Sequence, residues 1–250
     1  MTEIDRSVEY HIGLKKGDIG KYVLMPGDPG RTEIIASYFD DAKEVAFNRE
    51  YRTFTGTVDG IKISTTSTGI GCPSAGIAME ELVNVGAEVF IRIGTAGSLQ
   101  KEVALGDVVV STGAVREDGF SRQYVPLSFP AVADIRVTNA LIEAAEKLNV
   151  KAHPGIVHCK DAFHTEGNMD LPLGKYHEER WDAWYKSWVL ATSMESSAIF
   201  ILSYIKKKMA GEILAIIGTT YDDKPIEKKV GIDEAISVAI EAVKILDKKL

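Results

Sequence analysis

The sequence predicts an α/β fold built on a mixed β-sheet, and three observations carry that prediction. Short apolar runs of strand length alternate with longer stretches whose apolar positions recur at helical spacing. Glycine and proline clusters separate the runs. No repeat, low-complexity tract or linker interrupts the alternation, so the 250 residues read as one domain, 1–250.

Taken in order, Tyr22-Val23-Leu24-Met25 is a short strand stopped by Pro26-Gly27-Asp28-Pro29-Gly30-Arg31, and Thr32 to Phe39 follows as a helix. Such a turn presents backbone N–H groups at a helix N-terminus, where the dipole favours an anion. A cation in the first helical turn is mildly unfavourable, so Arg31 is either a solvated surface residue or one that answers a ligand. An extended region begins at Phe47-Asn48-Arg49-Glu50-Tyr51. Tyr51 to Val58 and Ile61 to Thr66 then alternate as a hairpin about Asp59-Gly60. The small-residue loop Ser67 to Ser74 leads into a helix from Ala75 to Val85. Its glycines do not follow the dinucleotide fingerprint, and no nucleotide cofactor is assigned from them.

Val89 to Leu99 is the most informative stretch. It is an apolar run that would read as a fully buried strand but for Arg92, and it opens into Gly94-Thr95-Ala96-Gly97 as a strand end and turn. A guanidinium cannot lose its charge, so burying one is costly unless an anion or a dense set of acceptors meets it. Either an internal carboxylate pairs with Arg92, or the strand end delivers Arg92, Thr95 and nearby backbone N–H groups to a phosphate or similar anion.

Beyond it, Gly106 to Ser111 is another strand, and Arg116 to Ala131 reads as a long surface excursion. Val137 to Leu148 is an amphipathic helix and Gly155 to Cys159 a strand. Lys160 to Tyr185 is a polar, aromatic segment of the kind that forms functional lids, with Trp181 and Trp184 packing on the body. Val189 to Thr192 is a short strand. A helix through Lys207 follows, capped by Ser193 or Ser196, with Glu195 near its positive end. Ile213 to Ile217 gives the last buried strand and Asp233 to Leu246 the terminal amphipathic helix.

Composition limits what such a fold can bind. A net charge of −7 argues against nucleic acid and acidic membranes as partners, so an anion must be held by a local arginine cluster. Cys72 and Cys159 have neither metal-ligand spacing nor a disulfide framework, and no segment has the apolar length of a membrane span. A cytoplasmic protein is expected.

Several separated pieces together resemble the type I nucleoside phosphorylases, and uridine phosphorylases in particular. They are His11-Ile12-Gly13-Leu14, Pro26 to Arg31, Asn48-Arg49-Glu50, Ser67 to Gly71 with Pro73-Ser74, Arg92-Ile93-Gly94-Thr95, Phe129 to Asp134, and Met194-Glu195-Ser196. They fall in the family's order across nearly the whole chain. The resemblance implies a mixed, twisted sheet, partly closed as a barrel and flanked by helices. It implies phosphate held by Gly27, Arg31, Arg92 and Thr95 with Arg49 from a neighbouring subunit, and ribose held by Thr95, Met194 and Glu195 with His11 from the neighbour. It implies a base site at Ala96, Gly97, Phe163, Glu166 and Ile217. It also implies a homo-oligomer, a dimer or a hexamer made as a trimer of dimers, and in some members a monovalent cation such as K+ near Glu50, Ile70 and Ser74.

The implied reaction suits these residue types. Phosphate attacks C1′ of the sugar as the base leaves, through a transition state with positive character on the ring. Arginine forks, here Arg31 and Arg92, orient the phosphate, and orientation makes the step nearly unimolecular. Glu195 beneath the sugar accepts from ribose hydroxyls and offsets the growing positive charge. Phosphate is a co-substrate, and no metal or organic cofactor is needed.

The sequence departs from uridine phosphorylases at the base. The glutamine and arginine that usually read uracil after the lid phenylalanine are absent, and His164-Thr165-Glu166-Gly167-Asn168-Met169-Asp170 follows Phe163. Glu166 can accept from the uracil N–H but cannot donate to its carbonyls. His164 is either a donor to the base or a partly exposed structural histidine, with the second reading preferred. In a gap-free alignment of the last strand, Ile217 takes the place where purine-specific relatives carry a catalytic aspartate, so uridine is the expected substrate. The alternatives are a purine nucleoside phosphorylase with Asp222 as general acid, a nucleosidase, and a non-catalytic nucleoside-binding protein of the same fold.

Overall fold

A computed structural model describes residues 7–166, 169–220 and 230–250. In chain order the elements are β1 (Tyr22–Pro26), α1 (Pro29–Ala36), β2 (Asp40–Asn48), β3 (Tyr51–Val58), β4 (Ile61–Thr66), α2 (Cys72–Asn84) and β5 (Val89–Ser98). They continue as β6 (Val108–Glu117), β7 (Ala131–Val132), α3 (Ile135–Lys147), β8 (Ala152–Lys160), α4 (Gly174–Lys186), β9 (Ala191–Ser193), α5 (Ser196–Ile205), β10 (Met209–Thr219) and α6 (Ile232–Lys249).

All ten strands belong to one mixed sheet. Five of them close on themselves: β5 runs parallel to β10, β10 antiparallel to β6, β6 parallel to β8, and β8 parallel to β9. The ring is completed where β9 meets β5 at the pair Ser98–Ala191. From β5 the sheet also continues outward through β1, β4, β3 and β2. The expected barrel is therefore present and closed. Its interior holds Val109, Val157, Leu190, Leu214 and Ile216.

Helices cover both sides of this sheet. The alternation of side chains along β5 sends Val89, Ile91 and Ile93 into a core shared with α1, α3 and α6. Phe90 goes to the opposite core, with α2 and α5, and Arg92 shares its face. The burial of Arg92 thus follows from strand geometry, two residues beyond a phenylalanine that is fully enclosed. Among the described residues, no helix is long and apolar enough to cross a membrane.

Several elements differ from the sequence reading. β2 had no alternating signal because it is mostly exposed and carries four charges among its nine residues. β5 does not end at Gly94 but runs through Ser98 beside β10, which takes up an irregularity between Ile216 and Gly218. Gly94 lets the strands close: a Cβ there would lie 2.5 Å from Leu214 Cδ2. Arg116 and Glu117 belong to β6 and not to the surface excursion. The Arg116 guanidinium donates to the carbonyls of Pro126 (2.7 Å) and Val125 (3.1 Å), folding the following loop back over the strand end. The lid segment is partly helical, as α4, and Trp181 and Trp184 do pack on the body, with ring centres 5.4 Å (edge-on) and 6.0 Å (tilted) from that of His158.

Candidate active site

Three helices point their N-termini at one cavity of about 970 Å³. The turn after β1 brings Gly27, Asp28, Pro29 and Arg31 at the start of α1. The loop after β4 brings Gly69, Ile70 and Ser74 at the start of α2, and the segment after β9 brings Met194 and Glu195 at the start of α5. Unpaired N–H groups and aligned dipoles make such a meeting point favourable for negative charge.

α1 is begun by Asp28, whose carboxylate accepts from the Gly30 N–H at 2.8 Å. Arg31 then stands in the first turn and lines the cavity. Burial and the nearby positive charge of Arg92 hold its pKa below the ordinary arginine value, and Asp28 offsets this only in part. Two guanidiniums facing the same space is an arrangement that an anion relieves.

Arg92 is 6% exposed and has internal carboxylate partners, the first of the two alternatives its sequence position left open. One Nη2 hydrogen bond goes to Glu195 Oε2, and Nε lies 3.1 Å from Glu212 Oε1. The pairing and the anion site coexist, because Nη1 has no partner among the described residues. That nitrogen lies on the Gly27 side, 3.9 Å from where a Cβ on Gly27 would be. Glu195 is buried at the N-cap of α5 and accepts the Gly71 N–H on Oε1 at 2.7 Å. Neither expected serine is the N-cap, which is Glu195 with no side-chain cap bond, but Ser193 Oγ still accepts from the Ser196 N–H at 3.3 Å.

The cavity also gathers Thr95, Ala96 and Gly97 from β5, Ile217 from β10, and Phe163, His164 and Glu166 beyond β8. Glu50 and Ser74 meet at its edge, with Ser74 Oγ donating to Glu50 Oε1 at 2.8 Å, and Ile70 is 77% exposed beside them. The Glu50 pKa is held low, first by a hydrogen bond from its own backbone N–H and then by Ser74. Gly69 makes this corner possible: its φ is +67°, and a Cβ would come within 2.8 Å of both the Glu50 and Ser74 side chains.

His11 and Arg49 do not reach the cavity of their own protomer. His11 is turned to α2, where Nδ1 lies 2.5 Å from Glu81 Oε1. Its backbone N–H and that of Ile12 donate to Glu81 Oε2 at 2.9 and 2.8 Å. Arg49 sits exposed at the β2–β3 turn with φ +56°. Asp222 lies outside the described residues.

Two residues were missed by the sequence reading. Lys160, the last residue of β8, is 6% exposed, forms an ion pair with Glu166 and lies 5.6 Å from the centre of the Phe163 ring. Glu212 lies opposite Arg92 in the β5–β10 register and is fully buried, which raises its pKa despite Arg92 and its serine donors. Both carried the signal that exposed Arg92, a charge abutting an apolar run.

Comparison with known proteins agrees with this arrangement. A profile of the Phosphorylase superfamily matches residues 21–248. A uridine phosphorylase of Treponema pallidum is 44% identical over 242 residues, covering 95% of this chain and 94% of the relative. A uridine phosphorylase of Thermococcus kodakarensis is 43% identical, covering 98% and 88%. A guanosine phosphorylase of Halorubrum lacusprofundi is 37% identical, covering 94% and 98%. With near full-length matches to nucleoside phosphorylases and a single cavity edge that unites Arg31, Arg92 and Glu195, the chain belongs to the phosphorylase superfamily.

Proposed function

We propose that the protein is an enzyme that cleaves uridine with phosphate, giving uracil and ribose 1-phosphate. The observation that carries this reading is the pair of guanidiniums, Arg31 and Arg92, facing one space beside Glu195 at the meeting of three helix N-termini. A water molecule needs no such cluster, whereas a phosphate must be gripped and oriented. The names of the relatives from Treponema and Thermococcus support uridine as the nucleoside.

In this reading, phosphate sits between Arg31, Arg92 Nη1, Thr95 and the backbone at Gly27, with Arg49 supplied by a second copy. One phosphate oxygen attacks C1′ as the C1′–N1 bond breaks, and the bonding electrons leave with the base. Glu195 and Met194 underlie the sugar, with Thr95 beside it and the second copy's His11 opposite. The negative carboxylate of Glu195 opposes the positive character that develops on the ring. The base lies among Ala96, Gly97, Phe163, Glu166 and Ile217. Lys160 supplies what Glu166 lacks: an ammonium can donate to a uracil carbonyl and stabilise the departing anion while the carboxylate accepts the N–H. Ile217, an apolar residue on the cavity wall, supplies no acid from its own position for a purine ring.

The assembly in this reading is a homo-oligomer with shared sites, a dimer or a trimer of dimers. Glu50, Ile70 and Ser74 hold a monovalent cation between subunits. The two free, buried cysteines support a cytoplasmic location and a role in pyrimidine salvage there.

The test is base release from uridine, thymidine, cytidine, inosine, adenosine and guanosine, each with and without phosphate. Uridine cleaved only with phosphate is the expected result. Cleavage undiminished without phosphate makes the enzyme a nucleosidase, purine cleavage in preference to uridine overturns the base assignment, and binding with no base release makes the chain a binding protein.

A further inference from the structure

Glu212 does not line the cavity, yet it touches two residues that do, Arg92 and Ser193. Its carboxylate is tied from three separate elements. Ser111 Oγ on β6 donates at 2.5 Å, Ser196 Oγ on α5 lies 2.7 Å from Oε2 and 2.8 Å from Oε1, and Ser193 Oγ on β9 lies 3.2 Å from Oε1. Its remaining neighbour is Arg92, side by side with it across the β5–β10 pairing.

We propose that Glu212 is a positioning residue for phosphate, which holds the Arg92 guanidinium by its Nε edge so that Nη1 is kept for the cavity. The inference rests on the phosphorolysis reading above. Two carboxylates compete for one planar fork. Glu195, at the cavity, accepts a hydrogen bond from Nη2, and Glu212, behind the strand, faces Nε as an ion pair at 3.1 Å without a directed hydrogen bond. The hydrogen bond at Nη2 and the charge of Glu212 at the Nε edge together orient the guanidinium, and Nη1, on the Gly27 side, has no hydrogen-bond partner among the described residues. With Glu212 neutralised, the favoured arrangement of arginine and carboxylate is the bidentate one, both forks on Glu195. That arrangement turns Nη1 away from phosphate and occupies the carboxylate that faces the sugar. The three serines make the device rigid, because a carboxylate held from three elements cannot follow Arg92 if it turns.

The role is read with Glu212→Gln, which keeps the shape, and Ser111→Ala, which keeps the charge but loosens it. The measurements are KM for phosphate, KM for uridine, and the rise in Tm that inorganic phosphate gives the folded protein. In Glu212→Gln the phosphate KM rises by about tenfold or more and the phosphate-induced rise in Tm is lost, while uridine KM rises by a smaller factor because Glu195 is drawn onto Arg92. Ser111→Ala shifts phosphate KM in the same direction by a smaller factor. A residue that served only folding would lower Tm in all conditions and leave phosphate KM alone. Folded Glu212→Gln with phosphate KM within about twofold of the parent and an intact phosphate-induced shift overturns the proposal. If that variant does not fold, an unchanged phosphate KM in Ser111→Ala overturns it. Parent protein whose turnover needs no phosphate sinks the phosphorolysis reading itself, whereas a normal phosphate response in Glu212→Gln sinks only the role of Glu212.

Discussion

Replacing Arg92 with alanine removes the cation shared by two buried carboxylates, Glu195 and Glu212, which are 3% and 0% exposed. Removing one member of a buried ion pair costs about 3–5 kcal/mol, because the remaining charge has lost its partner and cannot regain water. At this chain length 1 kcal/mol moves Tm by about 2–4 °C, so Arg92→Ala melts about 6–20 °C lower than the parent. The kinetic loss is separate. Nη1 is unpartnered among the described residues and is the nitrogen assigned to phosphate in the proposed site, and losing one preorganised donor at a reacting group lowers kcat/KM by about 10²–10³, or about 2.7–4 kcal/mol. Calorimetry gives the first quantity, and initial rates taken well below the lowered Tm, with phosphate and uridine varied independently, give the second. Arg92→Lys separates charge from geometry: an ammonium restores much of the stability but cannot face two carboxylates and a phosphate at once, so most of the rate stays lost. A folded Arg92→Ala variant whose kcat/KM lies within about threefold of the parent refutes the catalytic role. A Tm lowered by less than about 2 °C refutes the claim that Arg92 balances the two carboxylates.

Lys160→Met keeps the length of the side chain without its charge, and is expected to lower kcat/KM for uridine by about 10- to 100-fold with little change in phosphate KM; unchanged uridine kinetics would remove Lys160 from the base site. Shared sites predict complementation. Mixed subunits of Arg49→Ala and Arg92→Ala, each inactive alone, form hybrids with one intact site and recover about a quarter of the parent activity in a two-fold symmetric dimer, while no recovery on mixing would count against shared sites. The last prediction concerns pH. Burial, with help from Lys160, lowers the His158 pKa from 6.5 to about 4, against a smaller opposite pull from Glu166, and the neutral ring still donates its Nε2–H to Glu117 Oε2 at 2.5 Å. The folded state therefore prefers neutral His158. Its contribution is complete above pH 6.5 and is lost as pH falls towards 4, by about 3 kcal/mol. His158→Asn flattens the stability profile over that window, and an unchanged slope between pH 6.5 and 4 would contradict the assignment.

The two arginines of the candidate site were readable in the sequence because their placement violates local rules. A guanidinium in an apolar strand and another in a first helical turn both ask for a partner, and both line the cavity. The strands were legible where one face is buried, as in the β3–β4 hairpin about Asp59-Gly60. β2 was not, because exposed residues need not alternate. Glu212 escaped notice for a different reason. It lies ahead of the most apolar part of β10, where a carboxylate looks like a strand boundary, and only the parallel register beside Arg92 reveals its purpose. α4 was illegible because aromatic and charged residues hold it to β6 and β8 through Glu117 and His158 rather than through an apolar stripe.

The cavity is divided between two kinds of support. Gly27, Arg31, Arg92, Thr95 and Glu195 stand on strand ends and helix starts that are locked into the ring and its two helical layers, so none can shift without disturbing the core. Phe163, His164 and Glu166 stand on a short crossing segment between β8 and α4, tethered chiefly by Lys160. For an engineer, these are a fixed chassis and an exchangeable fitting. Redesign of residues 161–166 together with Lys160 can retune which base is accepted while the machinery that breaks the glycosidic bond stays where it is.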